Sequence, residues 1–233
     1  MSTPNSAIIW QGPSPKNGAE VVVIISGMSG KSDNDKTGAM AQVDILVADT
    51  HPVEARKRGE DIAICGECPL RSTVCYVNVG FAPSAKYRAY QRGSYPVLTP
   101  SEANAILRKN GVDARAGSYG DPGIVPVWVW RDLFDGIGHT AYTHQWREPW
   151  FDAGHFEYAM ASIDHINTRD LLKSMFPGTR TYRIADDYND IGQDEIKCPS
   201  KNANGDRVVQ CVDCGLCAGM ARQAKDIVIV END

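Results

Sequence analysis

The chain has 233 residues, of which 42% are hydrophobic and 23% charged, the balance of a folded globule with a real core and not of a disordered or fibrous chain. A net charge of −5 is a poor footprint for non-specific nucleic-acid binding, and no apolar run approaches the roughly 18–20 residues of a membrane span. The opening residues, Met1 to Ser6, lack the basic flank and apolar core of a secretory signal, so a cytoplasmic protein is expected.

In chain order, Ala7-Ile8-Ile9-Trp10 and Val21 to Ile25 read as strands joined by a Gly-Pro turn, and Ala41 to Ala48 as another strand. Pro52 to Arg58 is a short helix with proline in its first turn. A loop carrying cysteines follows, then a helix from about Pro83 to Gly93. Ser101 to Lys109 reads as a helix capped by Thr99 or Ser101, and Val112 to Ser118 as a strand. Ile124 to Phe134 is a helix or buried apolar segment, Thr140 to Gln145 a strand, and Phe151 to Tyr158 a weak helix or loop. Met160 to Ile163 is a strand, Thr168 to Phe176 a helix, and Thr181 to Ala185 a strand. Strands alternating with helices predict an α/β fold with parallel pairing, specifically a partial (open) βα barrel. The whole reads as one domain: a β-rich extension (1–95), βα units (96–187), and a cysteine-bearing segment with a terminal strand (188–233).

The seven cysteines fall in two groups: Cys65, Cys68 and Cys75, and Cys198, Cys211, Cys214 and Cys217. An odd number without a signal peptide argues against a disulfide framework, and clustered thiols at two-residue spacing are usual metal ligands. The later group, with Cys-Pro at 198–199 and a Cys-x2-Cys-x2-Cys run, suits a fully ligated [4Fe–4S] cluster, with zinc as the competing metal. The earlier group supplies three sulfurs, which leaves an open position on either metal. His51, His139, His144, His155 and His165 are the histidines that could complete it.

Parallel βα folds place their chemistry beyond the carboxyl ends of the strands. Those ends deliver Ser118-Tyr119-Gly120-Asp121-Pro122, His144-Gln145-Trp146, Asp164-His165 and Asp186-Asp187. From these, Tyr119, Asp121, His144, Trp146 and Asp164 are the candidate catalytic residues. The run from Val21 to Ser32 looks like a phosphate loop, but Ile25 stands where its first glycine belongs, so nucleoside triphosphate binding is rejected.

Several of these segments carry a resemblance. Lys36-Thr37-Gly38, Asp49 to Ala55, Cys65-Gly66-Glu67-Cys68-Pro69, Cys75 to Gly80, Thr143-His144-Gln145-Trp146, Met160 to Asp164 and the closing cysteines are similar to a family of uncharacterised bacteriophage and bacterial proteins. The likeness runs from about residue 36 to 219. It implies a phage-encoded protein working in the host cytoplasm. More distantly, the chain resembles radical S-adenosylmethionine enzymes, which are also partial βα barrels with a three-cysteine cluster. Their usual spacing is Cys-x3-Cys-x2-Cys, against Cys-x2-Cys-x6-Cys here.

Two functions are therefore expected to compete. One is an iron–sulfur enzyme with an open-site cluster, acting with or without S-adenosylmethionine on a small molecule or nucleotide. The other is a non-catalytic module stabilised by iron–sulfur or zinc that grips nucleic acid or protein. Its best nucleic-acid face would be Lys86, Arg88 and Arg92 interleaved with Tyr87, Tyr90 and Tyr95.

Overall fold

The computed structural model describes residues 3–31, 34–71, 75–200, 206 and 208–230. Ser32, the end of the phosphate-loop-like run, lies outside them. The chain folds as a mixed α/β protein with two five-stranded sheets. In the first, β1 (Ser6–Pro13), β2 (Glu20–Ser26), β3 (Ala41–Val47), β4 (Ala114–Tyr119) and β5 (His139–Thr140) lie in sequence order. The β1–β2 and β2–β3 pairs are antiparallel; β3–β4 and β4–β5 are parallel.

The second sheet has the order β6-β7-β8-β10-β9, with every neighbouring pair parallel. Its strands are β6 (Tyr142–Thr143), β7 (Met160–Ser162), β8 (Thr181–Ala185), β9 (Glu195–Lys197) and β10 (Asp226–Val230). Only Ala141 separates β5 from β6. The segment expected to form one strand from Thr140 to Gln145 is thus divided between the two sheets. Gln145–Arg147 turns instead into a 3-10 helix.

Sequence chemistry explains the main elements. Val21 to Ile25 is buried throughout, as expected of a strand covered on both faces. Seven α-helices are described: α1 (Pro52–Arg58), α2 (Ile62–Cys65), α3 (Ala82–Gln91), α4 (Pro100–Asn110), α5 (Val127–Leu133), α6 (Ile166–Met175) and α7 (Cys211–Cys214). Helix α4 starts on a full capping box: Thr99 accepts from the Glu102 amide, and the Glu102 carboxylate accepts from the Thr99 amide. Such a cap stabilises a helix by about 1 kcal/mol. The apolar face of α4, through Ala103 and Leu107, shares the main core with Val129, Trp130 and Leu133 of α5.

Three expectations change. Cys65 ends helix α2 and is not in a loop. The stretch from Ile124 to Phe134 breaks into a 3-10 turn at Pro122–Ile124 and α5, because Pro126 precedes the helix. Strand β9 was not foreseen, since three residues show too little alternation to be read.

The basic helix is also turned inward in part. Lys86 pairs with Asp44, which is buried on β3. Burial pushes the Asp44 carboxyl up and the Lys86 charge pulls it back. Tyr87, Tyr90 and Tyr95 pack against the core, and the Tyr90 hydroxyl accepts from Gln11. Of the proposed nucleic-acid face, Arg88 and Arg92 remain exposed.

His139 is buried on β5, its ring stacked on Phe134 with centroids 4.2 Å apart. Burial pushes its pKa down to about 4. A base depressed in the fold gives full stability above its unfolded pKa near 6.5, and that stability drains away as pH falls toward 4. His139→Phe keeps the ring and removes the titration. From neutral pH to about pH 4 the parent should lose about 3 kcal/mol more than this variant in urea unfolding. Parallel losses would contradict the burial argument.

Candidate metal and substrate site

The first cysteine group is held by backbone and by buried charge. Helix α2 ends at Cys65, and Gly66 turns the chain at φ 54°, a left-handed value that suits glycine. A Cβ on Gly66 would stand 1.9 Å from Gln145 Oε1, so only glycine admits the Gln145 side chain here. Cys68 donates its amide to Cys65 O, and Cys75 its amide to Leu70 O. Arg56 reaches Cys75 Sγ at 3.4 Å and donates to Val77 O at 3.1 Å. Asp61, buried beside this turn, is paired with Arg71 at 2.6 Å.

Asp121 ties that group to the strand ends. One carboxylate oxygen accepts from the Gly123 amide at 2.8 Å. The other accepts from the His144 amide at 2.7 Å and from Gln145 Nε2 at 3.0 Å. Gln145 Nε2 also donates to Cys65 O at 2.9 Å, and the Asp121 amide donates to Ile64 O. Three segments distant in sequence, at 64–65, 121–123 and 144–145, therefore meet at one carboxylate.

Beside this knot opens a cavity of about 190 Å³, far more than one bound water needs. Cys65, Cys68 and Cys75 line one wall and Cys211 another. Arg115, Gly117 and Tyr119 of strand β4 line it across a bulge, where Ala116 pairs with Val43 and Tyr119 with Asp44. Thr140, Tyr142, Ser162, Tyr182 and Ile184 continue that face across β5 to β8.

The second cysteine group lines an adjoining hollow, which holds Cys198, Cys211, Cys214 and Cys217 together. Lys36, Thr140, Tyr142, Tyr182 and Cys211 border both spaces. The loop at Lys36-Thr37-Gly38 grips this group: Cys211 and Val212 donate their amides to Lys36 O and Thr37 O, each at 3.1 Å. A Cβ on Gly38 would lie 2.6 Å from the Val212 side chain. From below, the buried Arg180 guanidinium donates to the carbonyls of Leu216, Gly219, Ala224 and Lys225. Those bonds shape the turn that carries Cys217.

The thiols are electrostatically expensive to ionise. Burial raises Cys65 strongly, Cys68 to about 11 and Cys217 to about 12, and it also raises Cys211. Within each group the neighbouring cysteines push the same way. Such thiolates need a cation among them. Among the described residues, no three His, Cys, Asp or Glu side chains are gathered as ligands of a single ion.

Of the candidate catalytic residues, Tyr119, Asp121 and His144 border the cavity. Tyr119 is buried and its hydroxyl has no hydrogen-bond partner among the described residues; burial and then Cys65 raise its pKa. Asp121 accepts three donors and positions the site. The His144 ring lies 3.8 Å from Asp164, and burial lowers its pKa against the pull of Asp121 and Asp164. Asp164 lines the adjacent opening with His144 and Ser162 and meets Arg147 at 3.3 Å. Trp146 is placed elsewhere: its indole is buried against Phe156, Ala161, Ile163 and Leu172 and donates to Ser162 O. It is a core residue.

Four of the five histidines are accounted for structurally. His51 caps α1 and meets Tyr87 edge-on, His139 is stacked in the core, and both ring nitrogens of His155 meet backbone carbonyls. His165 is exposed before α6, and Asp186 and Asp187 are exposed after β8. His144 alone of the histidines borders the cavity among the described residues.

Sequence reasoning did not single out Arg115, Tyr142, Tyr182 or Arg180, and it named Gln145 at a strand end without giving it a role. The first three lie in strands and not beyond their carboxyl ends, and only knowledge of which sheet face lines the cavity could have singled them out.

No protein-family model matches the chain, and no match is found among curated proteins or solved structures.

Asp121→Ala removes three hydrogen bonds to one buried carboxylate. It should cost about 3 kcal/mol or more in urea unfolding followed by tryptophan fluorescence. A loss under about 1 kcal/mol would show that the three segments are held together by other contacts.

Proposed function

We propose that the chain is an iron–sulfur enzyme with two [4Fe–4S] clusters beside one substrate cavity. Cys198, Cys211, Cys214 and Cys217 would ligate one cluster fully, and Cys65, Cys68 and Cys75 would hold the other with one iron open. The observation that carries this reading is that the two cysteine groups, 123 residues apart between Cys75 and Cys198, line adjoining spaces with a common wall. The donor chemistry fits: each group is all sulfur, and the Cys-x2-Cys-x2-Cys run is a spacing that cubane clusters use. Curvature of both sheets around this cavity, as an open partial βα barrel, belongs to the same proposal.

A cluster with three protein ligands supplies an open iron that can bind an exogenous group and pass an electron to it. The rest falls to the chain itself. Tyr119, with its unpartnered hydroxyl, stands where a ligand beside Cys65 could take a hydrogen bond. The His144 imidazole can exchange a proton at Nε2, which faces Asp164. Tyr142 and Tyr182 give the cavity an apolar lining that excludes water. The radical S-adenosylmethionine resemblance makes that molecule the first candidate for the open iron. The resemblance to phage proteins implies a host cytoplasm as the place of action.

The test is metal and acid-labile sulfide on protein purified without oxygen. The parent should carry about eight irons with matching sulfide. Cys75→Ser should stay folded and keep about half the iron, whereas Cys214→Ser should lose solubility, because metal binding there is folding free energy. Zinc without sulfide would overturn the proposal and favour a metal-stabilised binding module. Unchanged iron in Cys75→Ser would remove the first group as a ligand set.

A further inference from the structure

The cavity contains a cation that the iron–sulfur reading does not use. Arg115 on β4 is 9% exposed and turned into the cavity between the two cysteine groups. One terminal nitrogen donates to the Tyr76 hydroxyl, and Nε is buried with no partner. Among the described residues no carboxylate stands within ion-pair distance of it. Asp44, which feels its charge, is paired with Lys86. A second cation, Lys36, also borders the cavity, 5.9 Å from the Tyr76 ring, with Arg115 at 5.8 Å from the same ring.

A guanidinium held this deep, with no carboxylate beside it among the described residues, is costly, and its planar fork matches a carboxylate or phosphate. The surroundings are those of an organic ligand: Tyr142, Tyr182 and Ile184 form an apolar, largely aromatic wall. Strand geometry sets the scale. Arg115 stands opposite Gln42 and Tyr119, beside Cys65, opposite Asp44, two positions along β3, a separation on the order of 7 Å along the sheet.

We propose that Arg115 binds the anionic group of a small organic substrate, whose apolar or aromatic body lies along Tyr142 and Tyr182 with its other end toward Cys65, Cys68 and Cys75. The inference deepens the proposed function by naming a substrate class, and rests on it only for treating this cavity as the place of reaction. Arg115 selects for charge and fixes which end of the ligand faces the open-site cluster.

The test is calorimetric titration of the full chain, purified without oxygen, with two probe pairs: benzoate against benzamide, and adenosine 5′-monophosphate against adenosine. Iron is measured on each sample. At least one charged probe should bind about tenfold or more tightly than its neutral partner, and the pair that shows it tells carboxylate from phosphate. Arg115→Gln should abolish the preference with iron unchanged, and Arg115→Lys should restore part of it.

Equal binding within both pairs, no binding of either charged probe, or a preference that survives Arg115→Gln would each overturn the proposal. Arg115→Gln that sheds iron while keeping probe affinity would do so too, reassigning the guanidinium as counter-charge to the cluster at Cys211. If Arg115→Gln does not fold, the parent and Arg115→Lys decide: a preference undiminished in the lysine variant rejects the guanidinium. A preference retained in iron-free protein would defeat the iron–sulfur reading and leave the anion site standing.

Discussion

The carboxylate of Asp121 is the point on which the site's architecture turns. Two oxygens receive three donors, from Gly123, His144 and Gln145, at 2.7–3.0 Å. The same Gln145 amide reaches back to Cys65 O. A carboxylate can satisfy this many N–H groups at once because each oxygen accepts more than one bond. Its placement fixes the end of β4, the turn after β6 and the helix that ends in Cys65 relative to one another. The neighbouring glycines follow from the same constraint, since a side chain on Gly66 would displace Gln145.

Around that knot the protein concentrates thiols that resist ionisation. Burial raises the pKa values of Cys65, Cys68, Cys211 and Cys217, and neighbouring thiolates would repel one another. An apolar core does not need seven cysteines in two groups facing adjoining hollows. A cationic cluster in each space would turn the repulsion into ligation, and the energy released on binding would be folding energy. The Lys36-Thr37-Gly38 loop and the Arg180 guanidinium then have a clear task. They hold the backbone of the second group through hydrogen bonds to Cys211, Val212, Leu216 and Lys225.

Much of this was legible in the sequence, for identifiable reasons. The Val21 to Ile25 run and the cap at Thr99 are local signals, and each has its structural counterpart. Of the residues read at the strand ends, Tyr119, Asp121 and His144 border the cavity. Trp146 misled because a tryptophan next to a polar strand end reads the same whether its indole faces a cavity or the core. Lys86 misled in the same way: a basic helix face says nothing of a buried Asp44 waiting on β3. Arg115 and Tyr182 were illegible because their importance comes from the cavity-lining side of sheets whose strand order the sequence does not print. The split at Ala141, which passes one extended segment from the first sheet to the second, is likewise a tertiary event.

The central claim is that both cysteine groups hold clusters against one shared wall. Electron paramagnetic resonance of the dithionite-reduced protein addresses it most directly. Two reduced cubanes this close should give a broadened, spin-coupled spectrum, collapsing to one simple signal when Cys75 is replaced by serine. Two sharp independent signals, or a silent sample with zinc in place of iron, would contradict the account.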